Sequence, residues 1–224
     1  MGQQSNSGHP AITVDVVAFT LRDDDLLALL IQRQAPPFKG RWAIPSECIR
    51  DAEPLEATAL CTLEKYDVHD MYLEQLYAFG DARRDPRGRT IAVAYLALVP
   101  ATSATRAGSD TSDVRWWSVY TPPRLALDHA QILDYALQRL RNKLEYTAVG
   151  FRLLPPAFTL TEIQRAYEVV LGSPLDKRNF RRRILEAGII EETGERGSSI
   201  GRPARLYRLR SDAMIETKAR RLFP

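Results

Sequence analysis

The sequence predicts an α+β protein in which a mixed sheet with helices is followed by a smaller, basic unit. Aliphatic and β-branched runs between residues 11 and 119 are typical of strands, and other segments show the 3.6-residue periodicity of helices. Residues 1–150 hold 16 Lys and Arg against 19 Asp and Glu, a net charge of −3, while residues 151–224 hold 15 against 9, a net charge of +6. An acidic part followed by a basic part indicates two modules with different partners.

The composition is typical of a soluble globular protein, with 45% hydrophobic and 26% charged residues. No apolar stretch approaches the roughly 20 residues of a membrane span. The first ten residues, MGQQSNSGHP, lack the basic start and apolar run of a secretion signal. With only two cysteines, Cys48 and Cys61, a disulfide framework or a cysteine zinc site has little support. We therefore expect a cytoplasmic protein that contacts no membrane.

Strand patterns occupy the start of the chain. Residues 11–21 and 26–34 flank three aspartates and are predicted to form a hairpin, with an acidic turn at Asp23, Asp24 and Asp25. Residues 91–99 and 114–119 predict two further strands. The Gly/Ser/Thr-rich segment 101–112 between them predicts a loop.

Two helices are predicted in the same part of the chain. Residues 54–66 carry apolar side chains at helical spacing, with Pro54 where a first turn tolerates it. Residues 128–146 carry an apolar stripe formed by Ile132, Leu133, Ala136, Leu137, Leu140 and Leu144. Asp128 is predicted to cap this helix, and His129 to have a capping or core role rather than that of a catalytic base. The helix is long enough to join two domains.

The pattern after residue 158 predicts short helices and a ribbon. Thr159 and Glu162 have the spacing of a capping box, and Gly172 suits a left-handed helix stop. A second helix is predicted from a capping Asp176 to Gly188. Residues 189–209 then predict a hairpin with a glycine-rich tip. Two helices followed by a ribbon, with helix 128–146 as a third, is the order of a winged helix-turn-helix.

The second of these helices is strongly basic. Phe180, Ile184 and Leu185 stand at helical spacing and are predicted to pack inward. The side chains left on the surface are Lys177, Arg178, Asn179, Arg181, Arg182 and Arg183. Positive charge in a first helical turn is disfavoured by roughly 0.3–1 kcal/mol, so stability alone does not explain these cations.

DNA would explain the cations, because a phosphate backbone reverses the unfavourable balance and such side chains reach base edges in a major groove. The ribbon adds Arg196, Arg202 and Arg205, which are predicted to lie along a backbone or in a minor groove. The alternative is a solvated basic face. The order of helix, turn, basic helix and basic wing favours a DNA-binding surface.

Residues 41–68 resemble the catalytic box of the Nudix hydrolases, G-x5-E-x7-R-E-U-x-E-E-x-G-U, in which glutamates hold a divalent metal. With Glu47 at the box glycine, Glu53 matches the first glutamate and Leu63 the aliphatic position. The remaining positions do not match and are occupied by Cys61, Thr62, Lys65, Tyr66 and Val68. A lysine and a tyrosine in place of the metal-binding glutamates leave metal-activated hydrolysis without support. We therefore expect no catalytic residue, no metal and no cofactor. The plain alternative for this segment is a loop and an amphipathic helix.

Segments 72–99, with "RDPRGR", and 176–209, with "DKRNFRR", closely resemble the NrtR family of Nudix-related transcriptional regulators of NAD metabolism. The resemblance covers about residues 11–210. It implies a homodimeric repressor that binds double-stranded DNA at a palindromic operator and senses ADP-ribose or a related nucleotide. We expect a flexible tail at 1–10, a Nudix-like domain at 11–150 that includes helix 128–146, and a winged helix at 151–224.

A nucleotide diphosphate needs cations and an apolar surface for its base or ribose. The candidate cations are Arg33, Lys39, Arg41, Arg84 and Arg87, and the candidate apolar surfaces are Phe38 and Trp42. The composition of "RDPRGR" predicts a tight turn, so the alternative for its arginines is a solvated turn.

Two other functions remain open at this point. One is an active pyrophosphohydrolase with nonstandard metal ligands. The other is a nucleic-acid-binding protein whose first domain only mediates dimerisation.

Overall fold

The computed structural model describes residues 9–104, 113–196 and 204–211. The strands are β1 (Ala11–Arg22), β2 (Asp25–Gln32), β3 (Trp42–Ala43), β4 (Ser46–Cys48), β5 (Tyr72–Phe79), β6 (Thr90–Leu98), β7 (Val114–Ser118), β8 (Ile190–Arg196) and β9 (Arg205–Leu209). The helices are α1 (Leu55–Glu64), α2 (Ala101–Ala104), α3 (His129–Tyr146), α4 (Leu160–Leu171) and α5 (Lys177–Glu186), with a 3₁₀ helix at Ala148–Leu153.

A mixed sheet forms the first unit. Strands β1 and β6 pair in parallel at its centre, in the order β3-β2-β1-β6-β5, while β4 also pairs with β1 and β7 with β2. The predicted β1–β2 hairpin is confirmed. Asp23 and Asp24 form its turn with φ of 52° and 59°, the left-handed conformation that aspartate tolerates better than most residues.

Helices cover both faces of this sheet. Alternate residues of β1 point to opposite faces. Val14 and Val16 belong to the cluster that contains Leu63 of α1, whereas Val17 and Phe19 belong to the cluster that contains α3. This region therefore has three layers, with the sheet between helices on its two faces, as in an α+β fold.

The long connecting helix is confirmed as α3, and all six residues of its predicted apolar stripe are buried. The capping role predicted for Asp128 is wrong. Asp128 precedes the helix, but its side chain makes no cap hydrogen bond, because both carboxylate oxygens accept hydrogen bonds from Arg84. The Asp128 side chain therefore bonds to a residue 44 positions away in the sequence and not to the backbone N–H groups of the first turn of α3.

The helix caps and the ribbon predicted for the second unit are present. Thr159 and Glu162 form a reciprocal capping box, and Gly172 ends α4 with φ of 72°. The Asp176 side chain accepts a hydrogen bond from the Asn179 N–H at 2.7 Å, as expected of a cap. β8 and β9 form the predicted antiparallel ribbon, while its tip, residues 197–203, lies outside the described residues.

Two further expectations are corrected. Leu185 does not pack inward: its exposed fraction is 49%, whereas Phe180 and Ile184 are buried. At 100° per residue, Leu185 lies about 140° round the helix from Phe180, so one apolar stripe cannot hold both. The predicted loop at 101–112 begins with the short helix α2, and residues 105–112 lie outside the described part of the chain.

The two units share one hydrophobic core, which runs from the α3 face of the sheet through the 3₁₀ helix into α4 and α5. Phe151 contacts Phe158 and Tyr167 with ring centroids 5.4 and 6.4 Å apart. A Cβ on Gly150 would lie 2.5 Å from the Leu144 side chain and 3.1 Å from that of Tyr167, so any larger residue here would have to displace buried side chains of the junction. Packed side chains therefore hold the junction. No helix among the described residues has the length and apolar character needed to cross a membrane.

Candidate functional site

A polar cleft opens where β1, β4 and the start of α3 meet the 84–90 turn. Its volume is about 240 Å³, and Arg33, Arg84 and Arg87 are among its lining residues. The remaining lining residues are Thr13, Asp15, Ser46, Glu47, Cys48, Asp85, Thr90, Leu127 and His129. The first unit therefore brings three of the predicted cations to one cleft.

A buried ion network forms the floor of this cleft. Arg84 donates to both oxygens of Asp128 at 2.8 Å and to Asp15 at 3.1 Å, and its side chain is only 2% exposed. Asp15 also accepts a hydrogen bond from Ser46. Burial alone would lower the pKa of Arg84, but the hydrogen bonds and charges of the two aspartates raise it. Arg84 is thus a neutralised, fixed cation rather than a free one.

His129 completes the floor. Its Nδ1 accepts a hydrogen bond from the Ile44 N–H at 2.9 Å, and its Nε2 lies 3.6 Å from Asp15. Burial lowers the pKa of His129, although the charge of Asp15 opposes the shift. An imidazole that accepts at Nδ1 is neutral, with its proton at Nε2. The predicted core role of His129 is confirmed.

The rim of the cleft carries the accessible positive charge. The Arg87 side chain donates three hydrogen bonds to Asp85, two from Nε at 3.0 and 3.2 Å and one from Nη2 at 2.6 Å, and it stays 56% exposed. The hydrogen bond from Arg87 lowers the pKa of Asp85. Arg33 donates to the Pro37 carbonyl at 3.0 Å and forms no ion pair with any described carboxylate. Burial, and then the positive charge of Arg87, lower the pKa of Arg33, so an anion between the two arginines would relieve their repulsion.

The other predicted effector-binding residues lie apart from this cavity. Phe38, Lys39 and Arg41 follow Arg33 in the β2–β3 connection, and Trp42 is the first residue of β3. Arg41 stacks over the Phe38 ring at 5.1 Å, and Trp42 packs edge-on against Trp117 at 5.3 Å. The structure therefore brings Arg33, Arg84 and Arg87 to one cleft. The other four residues are on the β2–β3 hairpin, which also carries Arg33, but they do not line the cleft.

Sequence reasoning missed the acidic floor of the cleft. Asp15 is the only charged residue in the run AITVDVVAFTL, and a carboxylate in a buried strand needs a partner. That pattern was the available signal for a functional or structural ion network. The identity of the partner, 69 positions away at Arg84, has no local signature.

The residues that replace the box acids have structural roles. Lys65 forms an ion pair with Glu47, and Thr62 is buried with its hydroxyl donating to the Thr58 carbonyl at 2.7 Å. Val68, which stands at the second glycine of the box, is fully buried. In the described ranges, no three His, Cys, Asp or Glu side chains form a group suited to a metal ion.

Helix α5 presents a basic surface on the side away from the core. Arg178 and Arg182 are exposed, and Arg182 donates to Asn179 at 2.9 Å and to Glu186 at 3.1 Å. Ion pairs this exposed contribute little to stability and exchange readily for phosphate contacts. Lys177 is exposed on the first turn, and Arg183 is half-buried.

Arg181, which the sequence assigns to the same surface, has a different environment. It is half-buried, and its Nη2 donates to the Thr161 hydroxyl at 2.9 Å. Its side chain lines a cavity at the junction of the two units.

The wing places two cations face to face. Arg196 of β8 lies directly opposite Arg205 of β9, and Arg205 also pairs with Glu192 at 3.2 Å. Like charges at directly opposed positions destabilise a ribbon. An anion bound near Arg196 and Arg205 would reduce this repulsion. Arg202 lies outside the described residues.

The comparisons with known proteins agree on both units. The NrtR DNA-binding winged helix domain model matches residues 150–209. The chain is 39% identical over 212 residues to the ADPR responsive transcriptional repressor NtrR of Acinetobacter baylyi. The aligned region covers 92% of this chain and 84% of that repressor. The fold is similar to Shewanella oneidensis NrtR in complex with a 27mer DNA (TM-score 0.86, 38% identity, 95% of this chain and 99% of that chain). It is also similar to a MutT/nudix family protein from Enterococcus faecalis (TM-score 0.76, 26% identity, 93% and 95%). A Nudix-like domain therefore precedes a winged helix, and the chain belongs to the NrtR family.

Proposed function

We propose that this protein is a transcriptional repressor of NAD biosynthesis or salvage genes that responds to ADP-ribose, or a related nucleotide diphosphate, bound in its first domain. The winged helix binds operator DNA, and a homodimer matches the two halves of a palindromic operator. Such a regulator works where the chromosome is, which we take to be the cytoplasm. The similarity to a repressor that is responsive to ADPR supports this proposal.

The cleft supports the choice of ligand. Arg33 and Arg87 line it with little carboxylate compensation beyond Asp85, so its rim attracts an anion. Side-chain groups that line the cleft suit the hydroxyl groups of a ribose. They include Asp15 and the Thr13 hydroxyl, which has no hydrogen-bond partner in the described part of the chain. The single observation that carries the proposal is this rim of two neighbouring arginines above an acidic floor.

A cysteine footprint tests ligand binding in the cleft. Cys48 lines the cleft, whereas Cys61 is on α1 and does not line it, and both are exposed. ADP-ribose should slow the alkylation of Cys48 by iodoacetamide and leave that of Cys61 unchanged, as measured by peptide mass spectrometry. Equal rates at Cys48 with and without ADP-ribose would remove the ligand from this cleft.

We further propose that the protein binds this ligand without hydrolysing it. Lys65 stands at a position where a Nudix hydrolase has a metal-binding glutamate. Its side chain also forms an ion pair with the carboxylate of Glu47. A cation at this position opposes metal binding. With magnesium or manganese, the purified protein should leave ADP-ribose intact when the products are followed by chromatography. Release of AMP in proportion to protein, abolished by Glu53→Gln, would establish the alternative, an active pyrophosphohydrolase.

A further inference from the structure

A second cavity, about 680 Å³ in volume, lies at the junction of the two units. One wall is the acidic β1–β2 turn with Asp23 and Asp24, and the others are the segment around Pro155 and helices α4 and α5. The volume is within the range of about 300–1,000 Å³ that is usual for small-molecule sites, which often lie between domains. This cavity and the effector cleft share no lining residue, and they lie at opposite ends of β1.

Several charged groups around this junction cavity already have local partners. Arg165 pairs with Asp24 at 2.9 Å. Glu162 accepts the Thr159 N–H within the capping box, and Glu168 accepts the Leu175 N–H at 3.0 Å. These acids are therefore occupied by local partners.

Two cations on the α5 wall are not compensated. Lys177 and Arg181 line the cavity, and neither forms an ion pair with a carboxylate in the described parts of the chain. Arg181 donates from Nη2 to Thr161, while its Nε is buried and has no hydrogen-bond partner among the described residues. Because a buried donor without an acceptor is unfavourable, this wall favours an additional acceptor that carries negative charge.

The rest of the cavity is largely apolar. Its aliphatic lining comes from both units and consists of Leu21, Ala101, Leu153, Leu154, Pro155, Ala166 and Val169. A fully hydrated ion gains nothing from such a surface, whereas a ligand with a hydrocarbon or ring body does. The lining is thus complementary to a molecule with one anionic end and an apolar body.

We propose that the junction cavity is a second ligand site, which takes a small organic anion whose carboxylate or phosphate is bound by Arg181 and Lys177. The apolar body of this ligand rests against Leu153, Leu154 and Val169. Since both units contribute walls, the bound ligand stabilises the orientation of the winged helix that the structure shows. A ligand that binds one orientation better than another shifts the population toward it. The site is spatially separate from the effector cleft.

Binding of benzoate and of phenyl phosphate, measured by isothermal titration calorimetry on the full chain, tests this proposal and separates the two head groups. At least one of the two should bind saturably, and benzyl alcohol and inorganic phosphate, which each lack one half of the ligand, should bind at least about tenfold more weakly. Arg181→Ala should weaken binding by about tenfold or more, since a charge-assisted hydrogen bond is lost. Lys177→Ala, a change at an exposed position that leaves the core intact, should weaken it in the same direction.

Arg182→Ala is the matched control, because it removes the same group from the next residue of α5 on the face away from the cavity. It should bind the probe like wild type, and so should Arg87→Ala in the effector cleft. No binding of either probe, or equal affinities of wild type, Arg181→Ala and Lys177→Ala, would overturn the proposal. Loss of binding in Arg87→Ala would place the probe in the effector cleft and overturn it as well.

Discussion

Arg84 and Arg87 lie three positions apart in the β5–β6 connection, yet their side chains have different environments. Arg84 is fixed between Asp128 and Asp15 and is closed to solvent, whereas Arg87 is held by Asp85 and remains open to a ligand. Composition alone predicts the turn, which the hydrogen bond from the Gly88 N–H to the Asp85 carbonyl confirms. We infer that Arg84 shapes the cleft and that Arg87 binds the ligand.

Arg84→Ala should lower the free energy of unfolding by about 3–5 kcal/mol, the usual cost of removing one partner from a buried ion pair. The reason is that the variant leaves the carboxylates of Asp15 and Asp128 without their cation. Urea denaturation measures the change. Arg83→Ala, at the exposed neighbouring position, should stay within about 0.5 kcal/mol of wild type. Equal stability of Arg84→Ala and wild type would show that the network contributes nothing to the fold.

The buried imidazole of His129 predicts a pH dependence. Its folded pKa is lowered by burial, so the unfolded chain takes up a proton below the ordinary pKa of 6.5 while the folded chain does not. Its contribution is therefore complete above that value and is lost as the pH falls below it, by about 1.4 kcal/mol per pH unit. His129→Asn, whose amide oxygen can accept the Ile44 N–H, should remove this slope.

The control for that prediction is His69→Asn, which changes an exposed histidine and should keep the wild-type slope. Denaturation curves collected between pH 5 and 7 make the comparison. A slope that survives in His129→Asn would mean that other groups cause the acid sensitivity.

The sequence could show that Asp15 is an unusual residue in an apolar strand, but not which group it contacts. Asp128 illustrates the same limit, because its position before α3 predicts a cap and its real partner comes from a turn elsewhere in the chain. Local rules assign polar groups to local partners. When the fold brings an oppositely charged side chain close, an ion pair with that distant residue replaces the local hydrogen bond.

At the scale of elements, periodicity and caps predicted α1, α3, α4, α5 and the β8–β9 ribbon, since each signal lies within a few residues. The sequence did not predict β3, β4 or β5. β3 and β4 have only two or three residues, and their existence depends on pairing with β2 and β1. β5, at the edge of the sheet, pairs only with β6 among the described strands, and much of it is half-buried or exposed.

The basic surface of helix α5 is predicted to contact operator DNA. Arg182→Ala should weaken operator binding. If Arg182 contacts a base, the loss should be about 1–3 kcal/mol and the sequence preference should relax at that one base pair of the operator. Arg181→Ala should weaken it less, because the Arg181 side chain bonds to Thr161 and lines the junction cavity. Fluorescence anisotropy at several salt concentrations measures both variants, and wild-type binding should fall steeply with salt as counterions are released. A larger loss in Arg181→Ala than in Arg182→Ala would reverse this assignment.

At the scale of the whole molecule, the two units are connected by contacts that join the effector domain to α4. The Tyr120 hydroxyl donates to the carbonyl groups of Val169 and Val170, and Arg141 donates to Val170 at 2.9 Å. Arg165 of α4 pairs with Asp24 of the β1–β2 turn. A change in the first unit therefore has a packed, hydrogen-bonded route to the helix that supports α5. We infer that this route couples the cleft to the DNA-binding surface.

The most direct test of this account is operator binding by wild type and Arg87→Ala across an ADP-ribose series at fixed salt. ADP-ribose should reduce the operator affinity of the wild type by about 5- to 150-fold, the range of a coupling free energy of about 1–3 kcal/mol. Arg87→Ala should retain wild-type affinity for DNA without ligand, because Arg87 lies in the cleft and away from the winged helix, and its response to ADP-ribose should be smaller. Equal responses of the two proteins would remove Arg87 from the effector site. The absence of any response in both would contradict the claim that this protein senses ADP-ribose.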